Sequence, residues 1–341
     1  MINGHGDEIH TYKGTLRANF SSNTWYGGPS PGLIAYLQEK VHRIDHYPDP
    51  GAERLQRTIA LQHGWEEDEV LVTNGATEAI YLVAQAFRGQ TATILAPSFA
   101  EYEDACHLHG IRTVWMDWKT LEADTRFQTD LVFICNPNNP TGQAVPLATL
   151  QEVLLNNPQS CFIIDEAYIG FTNATQRFVT SPEAPGNYIL LHSLTKTCCI
   201  PGLRLGFIVA TADRVRAVRA CKMPWSVNSL ALEAGEYIYR HPKEFDLPLE
   251  RLLSETALLQ QELHAVTGWK VLPSATHYFL FETGKEIKAA ALKERLLQEH
   301  GILIRDASNF RGLSAHSCRI ACQQPGHNQL LLQALIQCCA T

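Results

Sequence analysis

Six short, near-continuous apolar runs mark the middle of the chain. They are Val70-Leu71-Val72-Thr73, Thr93-Ile94-Leu95-Ala96, Leu131-Val132-Phe133-Ile134-Cys135, Cys161-Phe162-Ile163-Ile164, Tyr188-Ile189-Leu190-Leu191 and Phe207-Ile208-Val209-Ala210. Runs this short that do not alternate with polar residues suit strands covered on both faces. Helical patterns such as Glu78-Ala79-Ile80-Tyr81-Leu82-Val83 lie between them. Strands separated by helices predict an α/β fold with a mostly parallel sheet between helical layers. After Asn228 the pattern changes. Residues 247–266 read as one long helix, with Leu252, Leu253, Leu258 and Leu259 at helical spacing. Strand-like pieces follow at Tyr278-Phe279-Leu280-Phe281, Ile302-Leu303-Ile304 and Cys318-Arg319-Ile320. The expected organisation is a large domain over residues 40–235 and a smaller α+β domain built from residues 1–39 and 236–341, since chain ends often meet in space.

Charge narrows the partners. The 341-residue chain carries a formal net charge of −7, which disfavours nucleic acid and anionic membranes as partners. An anionic ligand must therefore meet locally placed cations. The N-terminal residues lack the basic and apolar segments of a signal peptide, and no apolar run approaches a membrane span. The ten cysteines include the adjacent pairs Cys198-Cys199 and Cys338-Cys339 and no C-x-x-C. Free buried thiols and a cytoplasmic location are expected. His42 and His46 have the spacing of two metal ligands on one helix face, but no third ligand accompanies them, so no metal is expected. Walker A, G-x-G-x-x-G and G-x-S-x-G patterns are all absent.

The chemically unusual residues cluster just after the strands: Asn74-Gly75-Ala76-Thr77, Phe99, the run from Asn136 to Gly142, Asp165 and Lys196. In parallel α/β sheets the carboxyl ends of strands form the ligand crevice, so these residues are expected to meet there. One cofactor fits the set. Pyridoxal 5′-phosphate needs an amine for a Schiff base, supplied by Lys196, and a carboxylate at its ring nitrogen, supplied by Asp165. Tyr168 and Asn139 can serve its phenolic oxygen. Gly75, Ala76 and Thr77 open a helix whose free N–H groups suit the phosphate, and Ser193, Thr195 and Arg204 complete the cup. Phe99 can stack on the ring. Each residue alone is ordinary; their order and shared placement carry the reading.

These residues resemble the fold-type I pyridoxal-phosphate enzymes of the aspartate aminotransferase superfamily. The motifs are Asn139-Pro140-Thr141-Gly142, Asp165-Glu166-Ala167-Tyr168, and Ser193-Leu194-Thr195-Lys196 with Arg204 eight residues on. The resemblance implies that Lys196 binds the cofactor covalently. It also implies a homodimer in which Tyr47 reaches the phosphate of the partner's cofactor. Within the superfamily the chain is most similar to the threonine-phosphate decarboxylases, then to the histidinol-phosphate aminotransferases. His5-Gly6, Phe20-Ser21-Ser22-Asn23, the segment from Lys222 to Asn228, and the segment from Arg305 to Gly312 leading to Arg319 favour the former. By that resemblance His5, Asn23, Arg305 and Arg319 surround the substrate's phosphate and carboxylate. The implied reaction is decarboxylation of O-phospho-L-threonine to aminopropanol phosphate, a step of cobalamin biosynthesis. The chain departs from that family in having Thr24-Trp25-Tyr26 after Asn23 and Asp7-Glu8 after Gly6. A histidinol-phosphate or related aminotransferase is the alternative enzyme. A noncatalytic pyridoxal-phosphate sensor is the non-enzyme alternative, and it lacks a basic DNA-binding segment here.

Overall fold

The computed structural model describes Ile9, Tyr12 and residues 14–178 and 185–339. Its helices are α1 (Pro31–Lys40), α2 (Glu53–His63), α3 (Gly75–Ala86), α4 (Glu101–Leu108), α5 (Leu147–Leu155), α6 (Ala212–Arg219), α7 (Ser229–Arg240), α8 (Leu249–Thr267), α9 (Ala289–His300) and α10 (Pro325–Cys339). Its strands are β1 (Ala18–Asn19), β2 (Val70–Thr73), β3 (Thr91–Ala96), β4 (Arg112–Asp117), β5 (Leu131–Cys135), β6 (Cys161–Asp165), β7 (Tyr188–Ser193), β8 (Gly206–Ala210), β9 (Lys270–Val271), β10 (Tyr278–Glu282), β11 (Ile302–Leu303), β12 (Arg305–Asp306) and β13 (Ser317–Ala321).

The principal sheet has seven strands in the order β2-β8-β7-β6-β5-β3-β4. All six apolar runs are strands of this sheet. Their continuity has a simple cause: alternate residues feed two different cores. Val70, Val72, Phe162, Ile164 and Leu190 pack on one face, while Leu71, Ile163, Ile189, Leu191 and Ile208 pack on the other. The apolar pattern did not reveal β4, because it is the sheet's edge and its residues are only partly covered. It also did not reveal direction. The segment joining β7 to β8 carries no helix, so the chain turns straight back and β8 runs antiparallel to β7. β2 is in turn antiparallel to β8, which sets the carboxyl ends of β2, β5, β6 and β7 along one edge.

A second, antiparallel sheet has the order β12-β13-β10-β9. β1 pairs in parallel with β11, which brings the N-terminal segment beside the C-terminal part of the chain. α1 instead packs its Leu33 into the larger core. On α8 the buried residues are Leu252, Thr256, Leu259 and Leu263. Leu258, expected on the apolar stripe, is 53 % exposed. Thr256 holds its place because its hydroxyl donates to the Leu252 carbonyl at 2.7 Å, which satisfies the polar group without water.

Two features fix the strand ends that bear the site. Gly206 faces the start of α3: a Cβ there would lie 2.6 Å from the His192 carbonyl oxygen and 2.8 Å from the Ala76 nitrogen. Only glycine lets β8 approach this backbone. On the opposite face, Glu166 and His192 are side by side at the ends of β6 and β7, 3 % exposed each. The Phe178 N–H donates to Glu166 Oε1 at 2.6 Å. Glu166 Oε2 and His192 Nδ1 lie 3.6 Å apart, longer than a hydrogen bond. Burial pushes the Glu166 carboxyl up to about 8 and the imidazole well below its usual range. Both are therefore neutral near pH 7, and the pair is polar packing rather than an ion pair.

Two outcomes follow. Gly206→Ala should cost ~1–3 kcal/mol of stability through forced backbone displacement; Gly202→Ala, whose Cβ would meet nothing within 4 Å, should change it by less than ~0.5 kcal/mol. Denaturant midpoints check both. Glu166 has a raised folded pKa, so its contribution is complete below the unfolded value of 4.5 and is lost as pH rises through about 8. Glu166→Gln should flatten the fall in stability across that window, read from melting temperatures at stepped pH.

Candidate active site

The carboxyl ends of β5, β6 and β7 open into two neighbouring cavities that share Phe99, Asn139, Tyr168, Lys196 and Arg204 as walls. The inner one reaches Asp165, Ser193, Thr195, Ala76 and Thr77. The outer one, about 380 Å³, is closed by Ser21, Ser22, Asn23, Asn309, Phe310, Arg305 and Arg319. Lys196 and Asp165 thus face the same space.

Asp165 ends a fully buried strand and is 5 % exposed. Burial raises its pKa; the Tyr102 hydroxyl, the Ala167 N–H and the charge of Lys196 oppose that rise. Tyr102 donates to Oδ2 at 2.6 Å and Ala167 N–H to Oδ1 at 2.9 Å. These bonds orient both oxygens and leave the carboxylate able to serve a cationic ring nitrogen. Tyr102 was not foreseen. It lies three residues past Phe99, whose ring meets it edge-on at 5.9 Å, so helical spacing at the start of α4 was the available signal.

Lys196 follows β7 in the hairpin to β8. The Trp25 N–H donates to the Lys196 carbonyl at 3.0 Å, and the Cys199 thiol donates to the Trp25 carbonyl at 2.7 Å. The segment after Asn23 is therefore bound to the lysine loop. Trp25 and Tyr26 line neither cavity; Tyr26 donates instead to Glu255 at 2.6 Å. Residues 24–26 therefore supply no wall of either cavity.

An anion cup forms at the start of α3. Gly75 adopts φ +76°, and a Cβ there would fall 2.5 Å from an Arg204 guanidinium nitrogen. The missing side chain is what lets Arg204 lie across the helix N-terminus, where free N–H groups and the dipole favour negative charge. Arg204 itself has φ +61°, uncommon for a residue with a Cβ and typical of functional constraint. Ser193 and Thr195 place their hydroxyls 2.6 Å apart beside it. Buried carboxylate, lysine, a helix N-terminus crossed by an arginine, and an aromatic wall are the kinds of group that pyridoxal phosphate would need.

On the outer side, Arg305 and Arg319 are directly opposite on β12 and β13, each 5 % exposed. Arg319 donates to Asn139 Oδ1 and to the Ser21 carbonyl at 2.8 Å, both neutral acceptors. Burial lowers its pKa. Arg305 donates to Asn309 Oδ1 at 2.8 Å. Tyr168 meets Tyr278 edge-on at 4.9 Å, and burial raises the Tyr168 phenol to about 12. Both side-chain polar atoms of Asn23 are buried without a hydrogen-bond partner, and the residue lines the outer cavity. Asn309 and Phe310 were not singled out in the sequence, although the segment containing them was.

Of the expected residues, Ala76, Thr77, Phe99, Asn139, Asp165, Tyr168, Ser193, Thr195, Lys196, Arg204, Asn23, Arg305 and Arg319 line these two cavities, and Gly75 abuts Arg204. Tyr47 does not. It is 86 % exposed and lies against Trp225 at 5.5 Å in a separate cavity with Arg43, Arg54 and Glu233. His5, with Asp7 and Glu8, lies outside the described residues. His42 and His46 point to different partners, the Glu39 carbonyl and Asp45.

The comparisons with known proteins agree with this geometry. The family described as aminotransferase class I and II matches residues 18–337. The chain is 32 % identical to a threonine-phosphate decarboxylase of Salmonella typhimurium, over 93 % of this chain and 90 % of that one. It is 30 % identical to a histidinol-phosphate aminotransferase of Caldanaerobacter subterraneus, over 89 % and 86 %. The crystal structure of L-threonine-O-3-phosphate decarboxylase from Porphyromonas gingivalis superposes with a TM-score of 0.92 at 37 % identity, covering 95 % of this chain and all of that one. With its sheet, its strand-end cleft and this match along nearly its whole length, the chain belongs to the class I and II aminotransferase family.

Proposed function

We propose that the protein is a pyridoxal-phosphate-dependent lyase that releases CO₂ from O-phospho-L-threonine and yields aminopropanol phosphate, in the cobalamin pathway. The observation that carries this reading is Arg319. It is a buried guanidinium in the substrate half of the cleft, held by neutral acceptors, with a second buried arginine beside it. Two adjacent forks suit a substrate with two anionic groups, a carboxylate and a phosphate. An aminotransferase would use such a pair only for its second substrate, the dicarboxylate 2-oxoglutarate, since histidinol phosphate has no carboxylate; phosphothreonine presents both anions at once. The similarity to decarboxylases of that substrate supports the same choice.

When bound, the cofactor accepts the electron pair of the bond broken at the substrate's Cα. This chain's residues do the rest. Asp165, oriented by Tyr102 and the Ala167 N–H, holds the ring nitrogen protonated. Arg204, the α3 N-terminus and the Ser193 and Thr195 hydroxyls hold the phosphate of the cofactor. Tyr168 and Asn139 would serve its phenolic oxygen, and Phe99 would cover the ring. Lys196 provides the covalent anchor and is placed to return a proton to Cα. Arg305, Arg319 and Asn23 would hold the substrate's anionic groups and so select which bond at Cα is presented for cleavage. His5 is assigned to the same substrate anion by resemblance.

A homodimer belongs to this reading. Val41, Ile44, Tyr47, Met223 and Trp225 are large apolar side chains left exposed. The Trp225 N–H donates to the Pro50 carbonyl, which joins their two segments into one surface. Tyr47 on that surface is assigned to the partner's cofactor phosphate. No helix among the described residues is long and apolar enough to cross a membrane, and a cytoplasmic enzyme is part of the proposal.

Purified enzyme given O-phospho-L-threonine should release one CO₂ per amine phosphate formed. L-Threonine should fall ~10²-fold or more in kcat/KM, through the loss of two charged hydrogen bonds. Transfer of the amine of histidinol phosphate to 2-oxoglutarate without CO₂ would decide for the aminotransferase. Lys196→Ala should abolish turnover and the visible absorption of the lysine-bound cofactor. Asp165→Asn should keep the cofactor but lower kcat ~10–100-fold, the value of one charge-assisted bond; stopped assays with absorption spectra on the same samples check this.

A further inference from the structure

The loop between β12 and β13 forms one wall of the outer cavity. Asn309 holds Arg305 from this loop, and the Phe310 ring lies 5.3 Å from the Arg305 guanidinium carbon. The next residue leaves the cleft. Arg311 crosses to the principal sheet, where it donates to Glu103 Oε1 at 2.7 Å and sits 4.2 Å above the centroid of Trp115. Glu103 is on α4, whose entry residues Phe99 and Ala100 form the facing wall of the cleft. Trp115 is on the edge strand β4.

Beneath this contact lies a cavity of about 270 Å³, walled by Pro97, Trp115, Trp118, Leu272, Leu280 and Leu313 among others. The two halves of the molecule are therefore not joined here by continuous apolar packing. One guanidinium, clasped between a carboxylate and an indole face, spans the gap. Arg311 does not line the outer cavity, so its effect on a ligand there must pass through Asn309 and Phe310.

We propose that Arg311 is a positioning residue for substrate binding: its clasp on Glu103 and Trp115 holds Asn309 and Phe310 against Arg305 and so fixes the Arg305 fork on the substrate's anionic group. The proposal rests on the assignment of Arg305 to that group. The clasp touches neither the cofactor cup nor Lys196, so its loss loosens substrate binding and the orientation Arg305 gives the substrate, and leaves the cofactor in place.

The test is steady-state kinetics of the holoenzyme variants Arg311→Gln, Glu103→Gln, their double and Arg305→Gln. The substrate is whichever of O-phospho-L-threonine and histidinol phosphate the enzyme turns over. Each clasp variant should raise KM ~3–10-fold, the range of an exposed ion pair reinforced by a cation–π contact, and any fall in kcat should be smaller than that rise. The double should be no worse than the more affected single, because the two groups act as one unit. Arg311→Lys should recover part of the loss, since it keeps the charge but not the planar fork. The visible absorption of the bound cofactor and the denaturation midpoint should not move. An unchanged KM in Arg311→Gln, additive losses in the double, or a fall confined to kcat overturns the clasp. If Arg305→Gln leaves KM intact, the Arg305 assignment fails and the clasp with it; if it raises KM while Arg311→Gln does not, the clasp alone fails.

Discussion

A carboxyl group buried at the end of a strand is the constraint from which the rest of the cleft follows. Asp165 sits at the end of a strand covered on both faces, where ionisation is costly. Tyr102, the Ala167 N–H and the nearby lysine offset only part of that cost, and the residual upward push is what makes the carboxylate a strong partner for a cationic ring nitrogen. The protein therefore carries an unfavourable group that a cofactor relieves. Functional sites commonly trade stability for chemistry in this way. The Glu166–His192 pair behind the same strand ends is buried with no hydrogen bond between its side chains.

The cation side follows the same logic in reverse. Arg204 reaches the α3 N-terminus only because Gly75 has no Cβ, and Arg319 is buried against acceptors that carry no charge. Arg319 is desolvated in advance and Arg204 partly so, and both are already aimed before an anion binds. Glycines thus matter here as much as charged residues do. Gly206 brings β8 onto the α3 backbone, and Gly75 leaves space for the arginine.

Much of this was legible in the sequence. Six apolar runs gave six strands of the principal sheet, because residues feeding two cores cannot alternate with polar ones. The strand-end placement of Asn139, Asp165 and Lys196 gave the crevice, since parallel sheets bring those ends together. What stayed hidden has equally physical reasons. β4 is an edge strand with a mixed face and so has no apolar signature. The reversal at β8 depends on the absence of a helix after Lys196, which periodicity reports poorly over a dozen residues. Tyr102, Asn309 and Arg311 act through contacts between distant segments, and nothing local marks a tyrosine or arginine that has such a partner. The stripe on α8 was read one leucine pair too wide, because Thr256 satisfies its own hydroxyl and takes a place expected to be apolar.

In the proposed reading the residues around the cofactor ring lie at or just after strand ends of the seven-stranded sheet, while Arg305 and Arg319 stand opposite one another on β12 and β13. In that reading the substrate arginines and the cofactor residues come from different stretches of chain, joined where Arg319 meets Asn139. Replacements in the short strands can retune which molecule is admitted without disturbing the lysine or its carboxylate. That separation offers a route by which one ancestral scaffold diverges into enzymes that cut different bonds, and it marks β12, β13 and their loop as the place for a protein engineer to begin.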